Sequence, residues 1–443
     1  MLVNTNRSLL LMGVEKQVQP GDFVPENRRA VTPKVLLTDT SRGPIPARLA
    51  IGLTKAGCQV SAVCSTRWHP LLYTRVVQKT FPYSSLRPVE SLKAAIEATN
   101  PEMIIPCDDR GVQHLHELFL SAGNKLAALI ERSLGSRESY SIVSSRYELL
   151  RIAKEEGLRV PDAILVKDVN YLKSWRHGRV FPWVLKADGT SGGRGVRIAH
   201  SREQAEKFFL KLSRPHRTMR VVKRLIVNRD PFWLRPWWKR SRASVIVQSH
   251  IQGRPANCGV VCWKGRVLAG LGVEVVSSDG LTGPASVVRV IDNPAMMLAA
   301  ERIAQRLALS GFFGLDFMIE DGSHEAYLIE MNPRCTPLSH LQLGKGRDLL
   351  SALWAQLSGQ PCPYISPVTQ KDLIAYFPQA WIGDSELLES SFQDIPREEP
   401  DLVRELLRPW PDRTFLCRLA SKTNAQAKTV VPRPDRGFLY QVK

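Results

Sequence analysis

With 443 residues, the chain is too long for one ordinary hydrophobic core and divides into two or three domains of ~100–200 residues each. Its 44% hydrophobic and 23% charged residues describe a globular protein, and no apolar run approaches the ~18–20 residues of a membrane span. The net charge of +19 favours anionic partners, whether nucleotides, acidic metabolites, nucleic acid or a membrane surface, or else reflects an arginine-rich composition alone.

Residues 1–33 lack periodicity and carry Pro20, Pro25 and Pro33, so they read as an extension. One short apolar patch without a small-residue cleavage pattern argues against a signal peptide, and the expected location is the cytoplasm. The next segment alternates strand and helix. KVLLT (34–38) is a buried strand, 47–56 a helix, 59–64 a second strand, 89–98 a helix and 103–106 a third strand. Such alternation implies a parallel sheet with helices on its faces, so 34–134 is expected to be an α/β domain with Thr40, Ser41, Arg42, Asp108 and Asp109 at the cleft end. Either aspartate serves equally as a cap on the helix that follows.

A helix over 145–156 opens a new segment. Strands at 162–167, 183–187 and 195–199 follow, with helices at 171–175 and 202–212. Residues 214–242 then hold ten Lys or Arg against the single acid Asp230, with Phe232, Trp233, Trp237 and Trp238. This insertion either meets an anionic partner or membrane surface, covers a cleft, or packs its tryptophans and solvates its arginines. Beyond it come strands at 244–250, 257–263, 314–319 and 326–330, and helices at 294–308 and 348–357. The proline-containing region 361–443 has no assignment. Eight cysteines form no C-x-x-C pair, and Cys258 and Cys262 read as small buried hydrophobes.

Two constellations carry chemistry. In VLKADGTSGGRGV, Lys186 ends a strand and Gly189, Thr190, Ser191, Gly192, Gly193 and Gly195 form a loop before the chain returns. Glycines let backbone N–H groups approach an anion closely and the lysine fixes a positive charge, so the hairpin is a phosphate flap or a plain flexible turn. In GLDFM and LIEMNPR, alternation puts Glu330 and Asn332 on one strand face with Asp316 opposite. Hard oxygen ligands of this kind suit Mg²⁺ completed by substrate phosphates, with Mn²⁺ as a substitute, unless the acids only solvate a sheet face. Arg334 continues the alternation and can reach a phosphoryl group.

In order, Lys186 with GTSGGRG, VQSHIQG, GLDFM and LIEMNPR resemble the ATP-grasp superfamily of carboxylate-activating ligases over roughly 135–350. The resemblance implies a parallel α/β domain, then an ATP-grasp fold of two subdomains (135–360) carrying the insertion at 214–243, and a C-terminal extension (361–443). It implies ATP phosphate contacts from Arg146 and Lys186, an adenine hinge at Gln248, Ser249, His250 and Ile251, Mg²⁺ on Asp316, Glu330 and Asn332, and Arg334 near the γ-phosphate. Gln248 stands where many relatives carry an acid, and Asn257 is the sole candidate for the ribose contact. Arg289, with Thr282 and Gly283, falls where such enzymes bind an acyl substrate, and a guanidinium suits a carboxylate. The expected activity is ATP- and Mg²⁺-dependent joining of a small-molecule carboxylate to an amine or another nucleophile through an acyl phosphate. The rivals are bicarbonate activation, as in carbamoyl-phosphate synthase and biotin carboxylase, and a non-catalytic nucleotide-dependent module that binds a polyanion.

Overall fold

The computed structural model describes residues 32–65, 68–175, 180–190, 195–214, 243–280, 283–383 and 386–408. All belong to one compact unit that begins at Thr32. Most of the basic insertion, the loop tip Ser191 to Arg194, Thr282 and the N-terminal extension up to residue 31 lie outside the described residues.

The first sheet is wholly parallel in the order β3-β2-β1-β4, built from β1 (Lys34–Thr38), β2 (Gln59–Cys64), β3 (Lys79–Pro82) and β4 (Met103–Pro106). Helices α1 (Ile45–Lys55), α2 (Pro88–Thr99), α3 (Asp109–Leu120) and α4 (Asn124–Leu134) connect and follow its strands. Strands as apolar as MIIP are what a sheet covered on both faces requires. One face packs Val35 and Leu37 with α1, while Leu36 and Ile104 pack with Leu92 of α2 and Leu115 of α3. Gly135, which ends α4, has φ +102° and lies so close to the chain at Ala308 and Leu309 that no side chain fits.

Helices α5 (Tyr140–Val143) and α6 (Arg146–Glu155) lead to an antiparallel sheet in the order β5-β8-β6-β7. Its strands are β5 (Ala163–Val166), β6 (Trp183–Ala187), β7 (Val196–Ala199) and β8 (Val245–Ser249), with α7 (Val169–Ser174) and α8 (Arg202–Leu212) beside them. The Ser145 hydroxyl accepts from the Glu148 N–H, which makes Arg146 the first residue of α6.

The largest sheet has the order β13-β12-β9-β10-β11-β14-β15. It comprises β9 (Gly253–Trp263), β10 (Arg266–Ser278), β11 (Ala285–Ile291), β12 (Gly311–Glu320), β13 (Ala326–Asn332), β14 (Leu373–Tyr376) and β15 (Phe392–Asp394). Helix α9 (Pro294–Arg306) covers one face, packing Met296, Ala300 and Ile303 on Cys258, Cys262, Leu315 and Phe317. Cys258 and Cys262 are thus buried among aliphatic side chains, as expected. The other face shares a core with α1 and α10 (Leu349–Ser358).

The described part of the segment without a sequence assignment, up to residue 408, is built in. Strands β14 and β15 extend the large sheet, and α11 (Gln379–Gly383) and α12 (Pro400–Leu406) accompany them. Arg48 of α1 pairs with Asp394, whose other oxygen lies 2.7 Å from Nε2 of His340 in the turn that follows β13. Arg42 pairs with the buried Glu405. Each pair joins positions about 350 residues apart in the chain.

Candidate active site

Strand registers decide which side chains meet. Lys186 pairs with Ile246 and Val184 with Gln248, so Lys186 and Gln248 share one face of the four-stranded sheet. The opposite face, with Leu185, Ala187, Val245 and Val247, is filled by α7 and α8. On the large sheet, Glu330, Asp316 and Asn257 form one cross-strand row, and Asn332, Gly314 and Gly259 form the next. Gly314 and Gly259 have no side chain because Thr336 and Leu338 of the following turn press on that spot. The two sheets meet where the Lys186 ammonium donates to the Ile329 carbonyl at 3.1 Å.

Six expected residues converge here: Arg146, Lys186, Asp316, Glu330, Asn332 and Arg334. The Arg146 guanidinium donates to Glu330 Oε1 at 2.6 Å, to the Ala187 carbonyl at 2.7 Å and to the Thr190 carbonyl at 2.8 Å, and lies 3.5 Å from Asp188 Oδ1. It therefore pins the base of the glycine loop to a candidate metal ligand. Asp316 accepts from Asn257 Nδ2 at 2.7 Å and from Asn332 Nδ2 at 3.1 Å. Arg334 donates from Nη2 to Asn332 Oδ1 at 3.2 Å and from Nε to Asp109 Oδ1 at 2.8 Å.

Burial sets the electrostatics. Lys186 is 4% exposed, and desolvation lowers its pKa against the pull of Glu330. Burial, then the Glu330 charge, pushes Asp316 up to about 6, while the two asparagine amides hold it back. Burial also raises Asp188 despite Arg146. Three cations face four acids in this space, so an entering metal and a phosphate chain would each find compensating charge.

At the hinge, Gln248 is 3% exposed and its Oε1 has no hydrogen-bond partner among the described residues. A buried acceptor left alone costs about 1–3 kcal/mol, and an adenine amino group is a donor of the right kind. The Ser249 N–H is spent on the Asp162 carbonyl at 2.9 Å, so it is no free hinge donor. His250 and Ile251 follow, partly exposed, where β8 ends.

Two residues stand elsewhere than expected. Arg289 lies opposite Glu274, which lies opposite Ala256, which lies opposite Phe317. That row faces α9, one residue out of step with Asp316, so Arg289 is on the far side of the sheet and half exposed, 3.5 Å from Asp372. It does not face the cleft of Asp316 and Glu330. Asn257, expected at the ribose, instead touches Asp316. The turn after β4 splits its aspartates: Asp108 caps α3, accepting from the Gly111 N–H at 2.9 Å, and Asp109 holds Arg334. Asp188 lay inside the lysine-glycine stretch without an assigned role; its signal was its position directly after the strand.

Residues 232–337 match the ATP-grasp domain family. The chain carries an ATP-grasp domain. The matched stretch of the ATP-grasp domain includes Gln248, Asn257, Asp316, Glu330, Asn332 and Arg334, while Arg146 and Lys186 precede it. The carbamoyl phosphate synthase large chain of Pyrococcus furiosus is 25% identical over 222 residues, covering 50% of this chain and 18% of that one. This match therefore spans less than a fifth of that relative's length. The N5-carboxyaminoimidazole synthetase of Staphylococcus aureus, solved with ADP, has a TM-score of 0.53 at 14% identity over 76% of this chain and 80% of that one. The biotin carboxylase of Campylobacter jejuni, solved as a β-γ-ATP complex, gives 0.53 at 15% over 78% and 74%. These likenesses establish the fold of the ATP-grasp domain and the parallel sheet before it.

Among the described residues, no group of three or more His, Cys, Asp and Glu side chains is placed to hold a metal by itself. The ATP-grasp site offers two carboxylates and the Asn332 amide, a partial set of the kind Mg²⁺ completes with substrate phosphates. No helix among the described residues is long and apolar enough to cross a membrane.

Proposed function

We propose that the chain is an ATP- and Mg²⁺-dependent ligase that activates a carboxylate as an acyl phosphate and passes the acyl group to an amine. The observation that carries this reading is the convergence of Arg146, Lys186 and Arg334 on Asp316, Glu330 and Asn332 between two sheets. Gln248 Oε1 would accept from the adenine amino group. Lys186 and Arg146 would meet the phosphates, and Asp316, Glu330 and Asn332 would hold the metal. Bound Mg²⁺ supplies charge neutralisation across the phosphate oxygens. Arg334, positioned by Asp109, would face the carboxylate oxygen as it attacks the γ-phosphorus. With so little covalent work for the protein, positioning and electrostatics supply the catalysis. The glycine loop, tied to Arg146 at Ala187 and Thr190, is the element that would close over the phosphates and keep water from the acyl phosphate.

Bicarbonate is the second acyl substrate to consider, supported by a fold neighbour, the biotin carboxylase domain of the Hydrogenobacter thermophilus 2-oxoglutarate carboxylase, solved with bicarbonate (TM-score 0.51, 15% identity). One screen separates the readings: ADP release from Mg²⁺-ATP over a panel of carboxylates, each with and without amines, alongside a bicarbonate arm, with mass spectrometry of the product. A ligase gives ADP only with a matched acid and a product heavier by the amine less water. Unchanged substrate-stimulated ADP release in Glu330→Gln and Asn332→Ala would sink the mechanism. ATP binding without turnover in every arm would leave the polyanion-binding module, to be read as salt-sensitive association.

A further inference from the structure

Asn257 sits on β9, the strand next to β12, and its amide faces the buried Asp316 carboxylate rather than the open cleft. Asp316 is gripped at both oxygens: Asn257 Nδ2 donates to Oδ1 at 2.7 Å and Asn332 Nδ2 to Oδ2 at 3.1 Å. The line continues through Asn332 Oδ1 to Arg334 and from Arg334 Nε to Asp109. A carboxylate with both oxygens held by donors on either side cannot rotate about its Cβ–Cγ bond without losing both bonds. Glu330 is its cross-strand neighbour in the same row. The Asn332 amide is fixed in turn, its nitrogen spent on Asp316 and its oxygen left for Arg334 or a metal.

We propose that Asn257 is a positioning residue of the metal site, orienting Asp316 for the divalent cation and making no contact with the ribose. The inference rests on the metal reading of Asp316, Glu330 and Asn332 given above. Partners that orient metal ligands typically account for about 10–100-fold in metal affinity. The variants are Asn257→Ala, which removes the donor, and Asn257→His, whose ring N–H has a similar reach. Mn²⁺ affinity of the full chain is read from its paramagnetic resonance signal with ADP present, and metal-free ADP affinity by calorimetry in EDTA. Expected are a Mn²⁺ Kd raised about tenfold in Asn257→Ala, partial recovery in Asn257→His, and metal-free ADP affinity within about twofold of the parent in both. Melting curves establish that each variant is folded, and if Asn257→Ala is not, Asn257→His carries the comparison of the two affinities. A Mn²⁺ Kd unchanged in the folded variants, or a loss of metal-free ADP affinity with Mn²⁺ binding retained, overturns the proposal. Absence of Mn²⁺ binding by the parent chain with ADP overturns the metal reading itself, a separate result.

Discussion

Replacing Arg146 by methionine should tighten the binding of a divalent metal to the free protein while weakening the binding of nucleotide. In the nucleotide-free chain the guanidinium holds Glu330 Oε1 at 2.6 Å, so a metal that needs this oxygen must displace a charge-assisted hydrogen bond and approach a cation. Such a bond is worth about 1.5–3 kcal/mol, or roughly 10–100-fold in affinity. Arg146→Met removes that competition, and Mn²⁺ alone should bind about 10–100-fold more tightly. The same cation is lost to the phosphates, so metal-free ADP should bind weaker by a similar factor. The two shifts have opposite sign, which a general loss of structure cannot imitate. Removing one partner of a buried pair costs about 3–5 kcal/mol; Lys186 still faces Glu330, so the lower end is expected. Mn²⁺ titration by paramagnetic resonance and ADP titration by calorimetry read both shifts. A folded Arg146→Met chain that binds Mn²⁺ no better than the parent would refute the idea that arginine and metal share Glu330. In the parent, the consequence would be cooperativity: phosphate would draw Arg146 away and free Glu330 for the metal.

Other outcomes follow from the same structure. His69 is wholly buried 2.9 Å from Asp39; burial lowers its pKa, but the Asp39 and Cys64 hydrogen bonds and charges outweigh this and carry it up to about 9. A raised folded-state value means stabilisation complete below the unfolded value near 6.5 and lost as pH rises through about 9, on the order of 3 kcal/mol. Asp108, raised to about 7 by burial and by Asp39, has the same sign over its own window. Urea midpoints should therefore fall from pH 6.5 to 9.5, and His69→Gln should flatten the upper part of that slope; an equally steep variant contradicts the assignment. Gly135→Ala would place a Cβ 2.4 Å from the Ala308 oxygen at a positive φ, so a loss of about 3 kcal/mol is expected in urea unfolding. A variant as stable as the parent would show that this crossing relaxes. Gln248→Leu removes an unpartnered buried oxygen, so the free chain should gain or hold stability while ATP binds about tenfold more weakly. Undiminished ATP affinity in that variant would take adenine away from Gln248.

How much of this was legible in the sequence depended on the range of the signal. Strands such as 34–38, 59–64, 103–106 and 183–187 were read to the residue, because apolar runs bounded by turn residues are local. Helix α3 was expected after the Asp108-Asp109 turn but received no bounds, because DRGVQHLHELFL opens on a turn-like Asp-Arg-Gly and carries polar residues through its middle. Strand β10 was missed for a related reason: Gly270 and Gly272 break its pattern, and they are glycines because Met297, Met296 and the Ile291 backbone crowd that face. The C-terminal segment offered only short pieces, and Arg42–Glu405 and Arg48–Asp394 join positions too distant for any pattern to connect.

Within the site, the same distinction separates the residues that the structure brings together from those it does not. Glu330 and Asn332 share a strand, and Asp316 lies on the neighbouring strand joined by a short turn, so alternation alone brings them to one face. Asn257 requires a register carried from β12 to β9, which are not neighbours in the sequence, and Arg289 requires it carried on across β10 and β11, so an error of one residue anywhere inverts the face. Arg289 shows the consequence. Its neighbour Val290 is in the cross-strand row of Asp316 and Asn257, and a single step along the strand turns the guanidinium to the α9 side. A charge assigned by its place along the chain therefore needed parity across the sheet before it could be given a role. The same register sets Asn257 in the row of Asp316, where its amide donates to that carboxylate.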